Sequence, residues 1–226
     1  DAAGMSAASK IRREQPDFEI IVFEKSNFTS YSACGIPYFI SGKVETIEEL
    51  IVRSPSEFIK KYNIQVKTLH EVLEVDTDAN RVLVHNYNDK TQFWESYDEL
   101  LIATGGKPFC PEVKNLDVDG IFGIQTLTSG SKVALYLEEF KPKKAVIVGG
   151  GYIGLEMAEA LILKGLKVTI VNRSSEVMGT LDPDMGEKVR KTLENLGVMV
   201  YNSESLDYFE EKDNRVIAVV TDKKTI

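Results

Sequence analysis

The sequence is short of three residue types that carry much protein chemistry: it has two cysteines, two histidines and one tryptophan in 226 residues. Cys34 and Cys110 cannot form a disulfide framework, so a reducing, cytoplasmic compartment is expected. No apolar run approaches the roughly 18 residues of a membrane span, and no membrane partner is expected. Basic charge is also in deficit. Lys and Arg number 27 against 35 Asp and Glu, for a net charge of −8, so no nucleic-acid partner is expected. Low-complexity tracts and short repeats are missing. With 43% hydrophobic and 27% charged residues, the chain is neither a disordered tail nor a fibre. No metal site is assigned. The length is about one and a half times the roughly 150 residues of a typical domain.

What is present is an alternation of strand-like and helix-like stretches, the pattern of α/β proteins. The helix Gly4–Arg13 leads to an apolar run Phe18–Phe23 that ends at Glu24. A helix near Ser56–Tyr62 and strands near Gln65–Leu69, Arg81–His85 and Gln92–Trp94 follow, then a strand Glu99–Ala103 stopped by Thr104-Gly105-Gly106. Lys107 to Gly130, with Pro108, Pro111 and Gly120, is loop-like. Beyond it the pattern gives a helix at Lys132–Glu139, a strand at Lys144–Val148, a helix at Tyr152–Lys164 and a strand at Lys167–Val171. It ends with a helix at Asp184–Leu196 and strands at Val198–Tyr201 and Arg215–Thr221. Two Rossmann-like βαβ units with a small antiparallel insertion are expected. Their boundaries fall at 1–112, a linker at 113–130, and 131–226.

Gly149-Gly150-Gly151-Tyr152-Ile153-Gly154 follows an apolar strand and opens a helix, with a second strand ending about twenty residues on. Gly149 would permit the sharp turn, Gly151 would let backbone amides approach a pyrophosphate at the helix N-terminus, and Gly154 would let the helix pack closely on the strand. The second strand ends in Asn172-Arg173-Ser174-Ser175. A carboxylate for the NAD ribose is missing, and Arg173 would accept a 2′-phosphate, so NADPH is expected over NADH.

The stretch Glu24–Phe39, the segment Leu101-Ile102-Ala103-Thr104-Gly105-Gly106-Lys107-Pro108 and the Gly149 motif resemble the pyridine nucleotide–disulfide oxidoreductases. The branch resembled is that of coenzyme A disulfide reductase and NADH oxidase. The most specific element runs from Ser30 through Cys34-Gly35 to Pro37-Tyr38. The resemblance implies a flavoprotein that reduces a small disulfide, coenzyme A disulfide or a persulfide, with Cys34 as redox nucleophile. It places FAD on Ala2, Ala3, Gly4, Glu24, Lys25, Val72, Ala103, Thr104 and Gly105. It places pyridine nucleotide on Gly149–Gly154, Asn172 and Arg173, and coenzyme A on Ser6, Lys10, Arg13 and Ser30. Relatives that reduce peroxide carry a histidine where Ala2 stands; its absence favours disulfide or persulfide reduction, with oxygen as acceptor and a non-catalytic dinucleotide-binding module left open. Cys110, His70 and His85 are read as structural. The chain opens at Asp1-Ala2-Ala3-Gly4 in a helical pattern and ends just after a strand-like run. It is therefore expected to be a piece of a longer protein, which the resemblance implies is a homodimer.

Overall fold

A computed structural model describes residues 1–226, which divide into two compact units: 1–33 with 47–107, and 34–46 with 108–226. No helix is long and apolar enough to cross a membrane.

In the first unit, α1 (Ala2–Glu14) buries Met5 and Ala8 and ends in a basic turn, Arg12 and Arg13. Arg12 Nη2 donates to the Asn63 carbonyl at 2.7 Å, tying the end of α1 to the end of α3 (Pro55–Tyr62). Helix α3 begins where its sequence says it should. Ser54 Oγ accepts from Glu57 N, Glu57 reaches back to Ser54 N, and Pro55 occupies the first turn. Lys61 and the Ser54 backbone hold the Glu57 carboxyl below its usual pKa. Asn63, at φ 49°, stops the helix. Strands β1 (Ile21–Glu24) and β2 (Gln65–Thr68) pair in parallel, Ile21 against Gln65. Met5, Ala8, Phe58, Ile64 and Val66 form the core between them, with Ile20, Val22 and Tyr62 packed against it.

The expected antiparallel insertion follows as β3 (His70–Asp76), β4 (Arg81–Asn86) and β5 (Thr91–Ser96), in spatial order β3-β4-β5. Strand β3 escaped the sequence reading because its alternation is broken. A bulge lies between Val72 and Glu74, and Leu73, Glu74 and Val75 are all exposed. The expected strand Glu99–Ala103 does not form. Leu101 and Ile102 are 60% and 67% exposed, and no neighbouring strand offers ladder partners. An apolar run becomes a strand only where a second strand pairs with it.

The second unit holds α2 (Ile36–Ser41) and α4 (Leu127–Phe140). A three-stranded parallel sheet of β6 (Lys144–Val148), β7 (Lys167–Asn172) and β8 (Met199–Asn202) follows, linked by α5 (Tyr152–Leu163) and α6 (Pro183–Asn195). This is the βαβαβ unit read from the glycine motif. A capping box, Thr126 with Ser129, starts α4. The sheet interior is Val168, Ile170 and Val171, all nearly inaccessible, with Met157, Ala158, Ala160 and Leu161 of α5 also buried. Apolar burial of this kind stabilises by about 25 cal/mol per Å². A hairpin, β9 (Leu206–Lys212) and β10 (Arg215–Thr221), turns at Asp213-Asn214, both at positive φ, the signature of a tight two-residue turn.

Phe58 is 1% exposed at the centre of the first core. Phe58→Ala is expected to destabilise that unit by about 3–5 kcal/mol, read as a lower urea midpoint by circular dichroism.

Candidate functional site

The glycine turn of the second unit is built by close approach. Gly149 sits at φ +113°, which L side chains rarely adopt, and its N–H donates to the Val171 carbonyl at 2.8 Å. A Cβ on Gly154 would lie 2.2 Å from the Gly149 carbonyl oxygen, so α5 can cross the turn only because position 154 has no side chain. A Cβ on Gly150 would meet Val177 Cγ1 at 2.8 Å and Asn172 Cγ at 3.2 Å. Gly151 differs: it caps α5 in an extended conformation, no side chain caps the helix, and a Cβ there would meet nothing within 4 Å. Open space thus faces the uncapped first turn of α5, where free N–H groups and the helix dipole favour an anion. Tyr152 and Ile153 are 61% and 55% exposed beside it. The turn therefore fits a pyridine dinucleotide's pyrophosphate.

The residues expected to discriminate the dinucleotide lie at the end of β7. Arg173 is exposed. Asn172 is 8% exposed, and its amide is committed internally, donating to the carbonyls of Ser174 (3.1 Å) and Glu176 (2.9 Å) and to Asn202 Oδ1 (3.0 Å). Sequence reasoning missed Glu176, Asn202 and Arg190, which continue this network. Asn202 Nδ2 donates to Glu176 Oε2 at 3.1 Å and Arg190 Nε to the same oxygen at 3.0 Å. Glu176 and Glu194 hold the Arg190 guanidinium above its usual pKa. The available signal was an amide at a position that commonly carries a carboxylate.

The residues expected to meet the flavin lie in the first unit. Gly4 lies where a Cβ would sit 3.3 Å from Ala103 Cβ, so the start of α1 abuts the 103–105 segment. No side chain caps α1; the Asp1 carboxylate instead accepts from Tyr31 N at 3.3 Å. Thr104 and Gly105 are exposed, and Gly105 stands at φ +68° with open space around it. Glu24 ends β1, with one carboxylate oxygen accepting from Ser26 N at 2.8 Å and Lys25 exposed alongside. Val72 is half-buried on β3. A free helix start, a strand-end carboxylate and a side-chain-free turn fit the pyrophosphate and ribose of FAD. Thr29, 1% exposed, keeps a hydroxyl without a protein partner in the loop after β1.

Of the residues expected to meet substrate, Ser6, Lys10 and Arg13 are exposed along α1, and Lys10 pairs with Glu14. Ser30 is half-buried, its carbonyl accepting from Val52 N at 3.0 Å. Cys34 lies in a single 3₁₀ turn, Ala33–Gly35, immediately before α2. It is exposed, whereas Gly35, Ile36 and Pro37 after it are buried. Its helix is firmly seated: a Cβ on Gly130 of α4 would lie 2.5 Å from Ile36 Cγ2, and Lys43 Nζ pairs with Glu159 of α5 at 3.1 Å. Cys110 is exposed. His70 Nδ1 lies 2.7 Å from the Thr68 carbonyl, and His85 stacks edge-on against Tyr87.

A dinucleotide-type glycine turn on a βαβαβ unit, with an exposed cysteine ahead of a seated helix, defines the class of fold, an α/β dinucleotide-binding one. The whole chain, residues 1–226, matches the model of the family described as pyridine nucleotide-disulphide oxidoreductase, and it belongs to that family. It is 38% identical over 224 residues to an NADH oxidase of Methanocaldococcus jannaschii, covering 99% of this chain and 50% of the relative. It is 34% identical over 194 residues to a coenzyme A disulfide reductase of Staphylococcus haemolyticus, covering 86% and 43%. The crystal structure of an engineered water-forming NADPH oxidase, derived from the Lactobacillus brevis NADH oxidase and bound to NADPH, superposes with a TM-score of 0.91. That oxidase is 30% identical, with 99% of this chain and 49% of the other covered. The chain spans about half the length of the curated relatives it matches.

Gly149→Ala, which forces a Cβ into φ +113°, is expected to cost more than about 1 kcal/mol. Gly151→Ala, in open space and extended backbone, should cost less than about 1 kcal/mol. Guanidinium unfolding of the two variants side by side reads the difference.

Proposed function

We propose that the protein to which this chain belongs uses NADPH, in preference to NADH, to reduce a low-molecular-weight disulfide of the coenzyme A type, or a related persulfide. Cys34 is the nucleophile of this reading. The observation that carries it is the exposed thiol on the Ala33–Gly35 turn, followed at once by a buried, clamped helix. A sulfur held outward by rigid backbone is reachable by a second sulfur and loses little entropy in meeting it.

Cys34 Sγ, as thiolate, attacks one sulfur of the disulfide; the S–S bond breaks and one thiolate leaves, so Cys34 is held in a mixed disulfide. Two electrons and a proton then release the second thiol and restore the Cys34 thiolate. When bound, FAD supplies the relay that turns a two-electron hydride donor into a reductant of sulfur. Glu24 would hold the ribose of that cofactor, and the starts of α1 and α5 would each hold a pyrophosphate. Ser6, Lys10, Arg13 and Ser30 would meet the coenzyme A portion; Lys10 would exchange Glu14 for a phosphate. The active protein would be a homodimer.

The preference for NADPH rests on Asn172-Arg173-Ser174. In the engineered NADPH oxidase, Asp, Ala and Met at three consecutive positions are replaced by Ala, Arg and Ser. Its substituted Gly stands eighteen residues before that Asp, the separation of Gly154 from Asn172 here. Both chains thus offer a non-acidic residue, Arg and Ser in that order. Oxygen as acceptor is the second reading, favoured by the relative named an NADH oxidase.

Cys34→Ser in the full-length, flavin-loaded protein is expected to abolish NADPH-dependent reduction of coenzyme A disulfide while leaving the flavin bound. Disulfide reduction that survives the change overturns the thiol role, and oxygen consumption alone surviving in both proteins selects the oxidase. Arg173→Ala is expected to raise KM for NADPH about tenfold or more, with KM for NADH little changed.

A further inference from the structure

We propose that Asn172, Asn202, Glu176 and Arg190 form a positioning relay that sets cofactor choice without touching the cofactor. The relay fixes the loop that presents Arg173 and Ser174. The inference rests on the NADPH reading and deepens it.

Asn172 and Asn202 face each other across the parallel pair β7 and β8. The two hydrogens of Asn172 Nδ2 serve three acceptors, the carbonyls of Ser174 and Glu176 and Asn202 Oδ1. All three are oxygens, so an amide suits the position and a carboxylate there would face three acceptors with nothing to donate. This is the end of the second strand, where an NAD-binding unit carries its ribose-binding acid. The loop is folded so that the acid cannot be accommodated without refolding it.

The far side of the loop is held by Glu176. Asn202 Nδ2 reaches Glu176 Oε2 at 3.1 Å, and Arg190 Nε reaches its two carboxylate oxygens at 3.2 and 3.0 Å. The Glu176 and Arg190 side chains are only 21% and 24% exposed, so their pairing is less screened than that of surface pairs. Ser203 N adds a bond to the Ser174 carbonyl at 2.9 Å. Helix α6 presses close: a Cβ on Gly186 would lie 2.9 Å from the Val177 carbonyl and 3.0 Å from Glu176 Cβ.

The arrangement does two things for Arg173. It sets the backbone from which the guanidinium projects. It also occupies the one carboxylate in the Arg173–Glu176 stretch, so that Glu176, three residues on, does not neutralise the cation. Arg173 and Ser174 are exposed, and neither side chain belongs to the network.

The test uses the full-length, flavin-loaded protein and two probes that differ by one phosphate, 2′,5′-ADP and 5′-ADP, titrated by calorimetry. Asn202→Ala and Arg190→Gln are expected to weaken 2′,5′-ADP about tenfold and 5′-ADP less than about threefold. Glu176→Gln, which keeps an acceptor for Arg190 and removes the competing charge, should retain the preference within about threefold. Asn172→Asp should weaken 2′,5′-ADP without strengthening 5′-ADP. Equal weakening of both probes by Asn202→Ala and Arg190→Gln, or an unchanged ratio, overturns the relay, as does a gain in 5′-ADP affinity from Asn172→Asp. The isosteric Glu176→Gln decides the matter if a truncation unfolds the unit: loss of both probes alike makes the network merely structural. Arg173→Ala is the separate control. If it leaves the ratio unchanged, the NADPH reading itself fails; if it alone collapses the ratio, that reading stands and the relay does not.

Discussion

The second unit depends on one contact with no room in it. The carbonyl oxygen of Gly149 and the α-carbon of Gly154 are so close that a single methyl would lie 2.2 Å from that oxygen. Because α5 can cross the turn there, its axis points its unsatisfied N–H groups past Gly151 into open space, and Gly149 can donate back to Val171 of the neighbouring strand. The anion-binding character of the turn follows from packing, since what aligns the amides is helix against strand. Gly150 extends the same constraint: its small size lets Val177 and Asn172 close over it, coupling the glycine turn to the β7 loop.

A similar economy governs the cysteine. Helix α2 has only six residues, too few to hold itself in water. It persists because Ile36, Pro37 and Ile40 are buried and because α4 offers a glycine exactly where Ile36 needs space. The free energy of the segment therefore comes from its buried face, and the residue just ahead of it is left outward. The chemistry proposed for Cys34 needs access and a fixed direction, and both come from the burial of its neighbours.

Much of the second unit could be read in the sequence because its cues are local. Gly149–Gly154 and the alternation of β-rich runs with a helical period each act over a few residues. The capping pair Ser54 and Glu57 announces α3 in the same way. The readings that failed had no clean local pattern behind them. Leu101 and Ile102 look like a buried strand, but burial comes from pairing, which no local run encodes. Strand β3 hides behind a bulge, and β9 is marked chiefly by the Asp213-Asn214 turn that follows it. The candidate site divides along the same line. Cys34, Glu24 and the glycine turns are motif residues, whereas the Glu176–Arg190–Asn202 network joins a loop, a helix and a strand that meet only in three dimensions.

The double duty of Asn172 has an evolutionary consequence. An amide that donates to three oxygens and sits on β7 opposite Asn202 cannot be exchanged alone for a carboxylate, because the exchange removes the donors that shape its own surroundings. A carboxylate at this position would need compensating changes among the groups that now accept from Asn172. Such substitutions are epistatic: each is unfavourable until the others are in place.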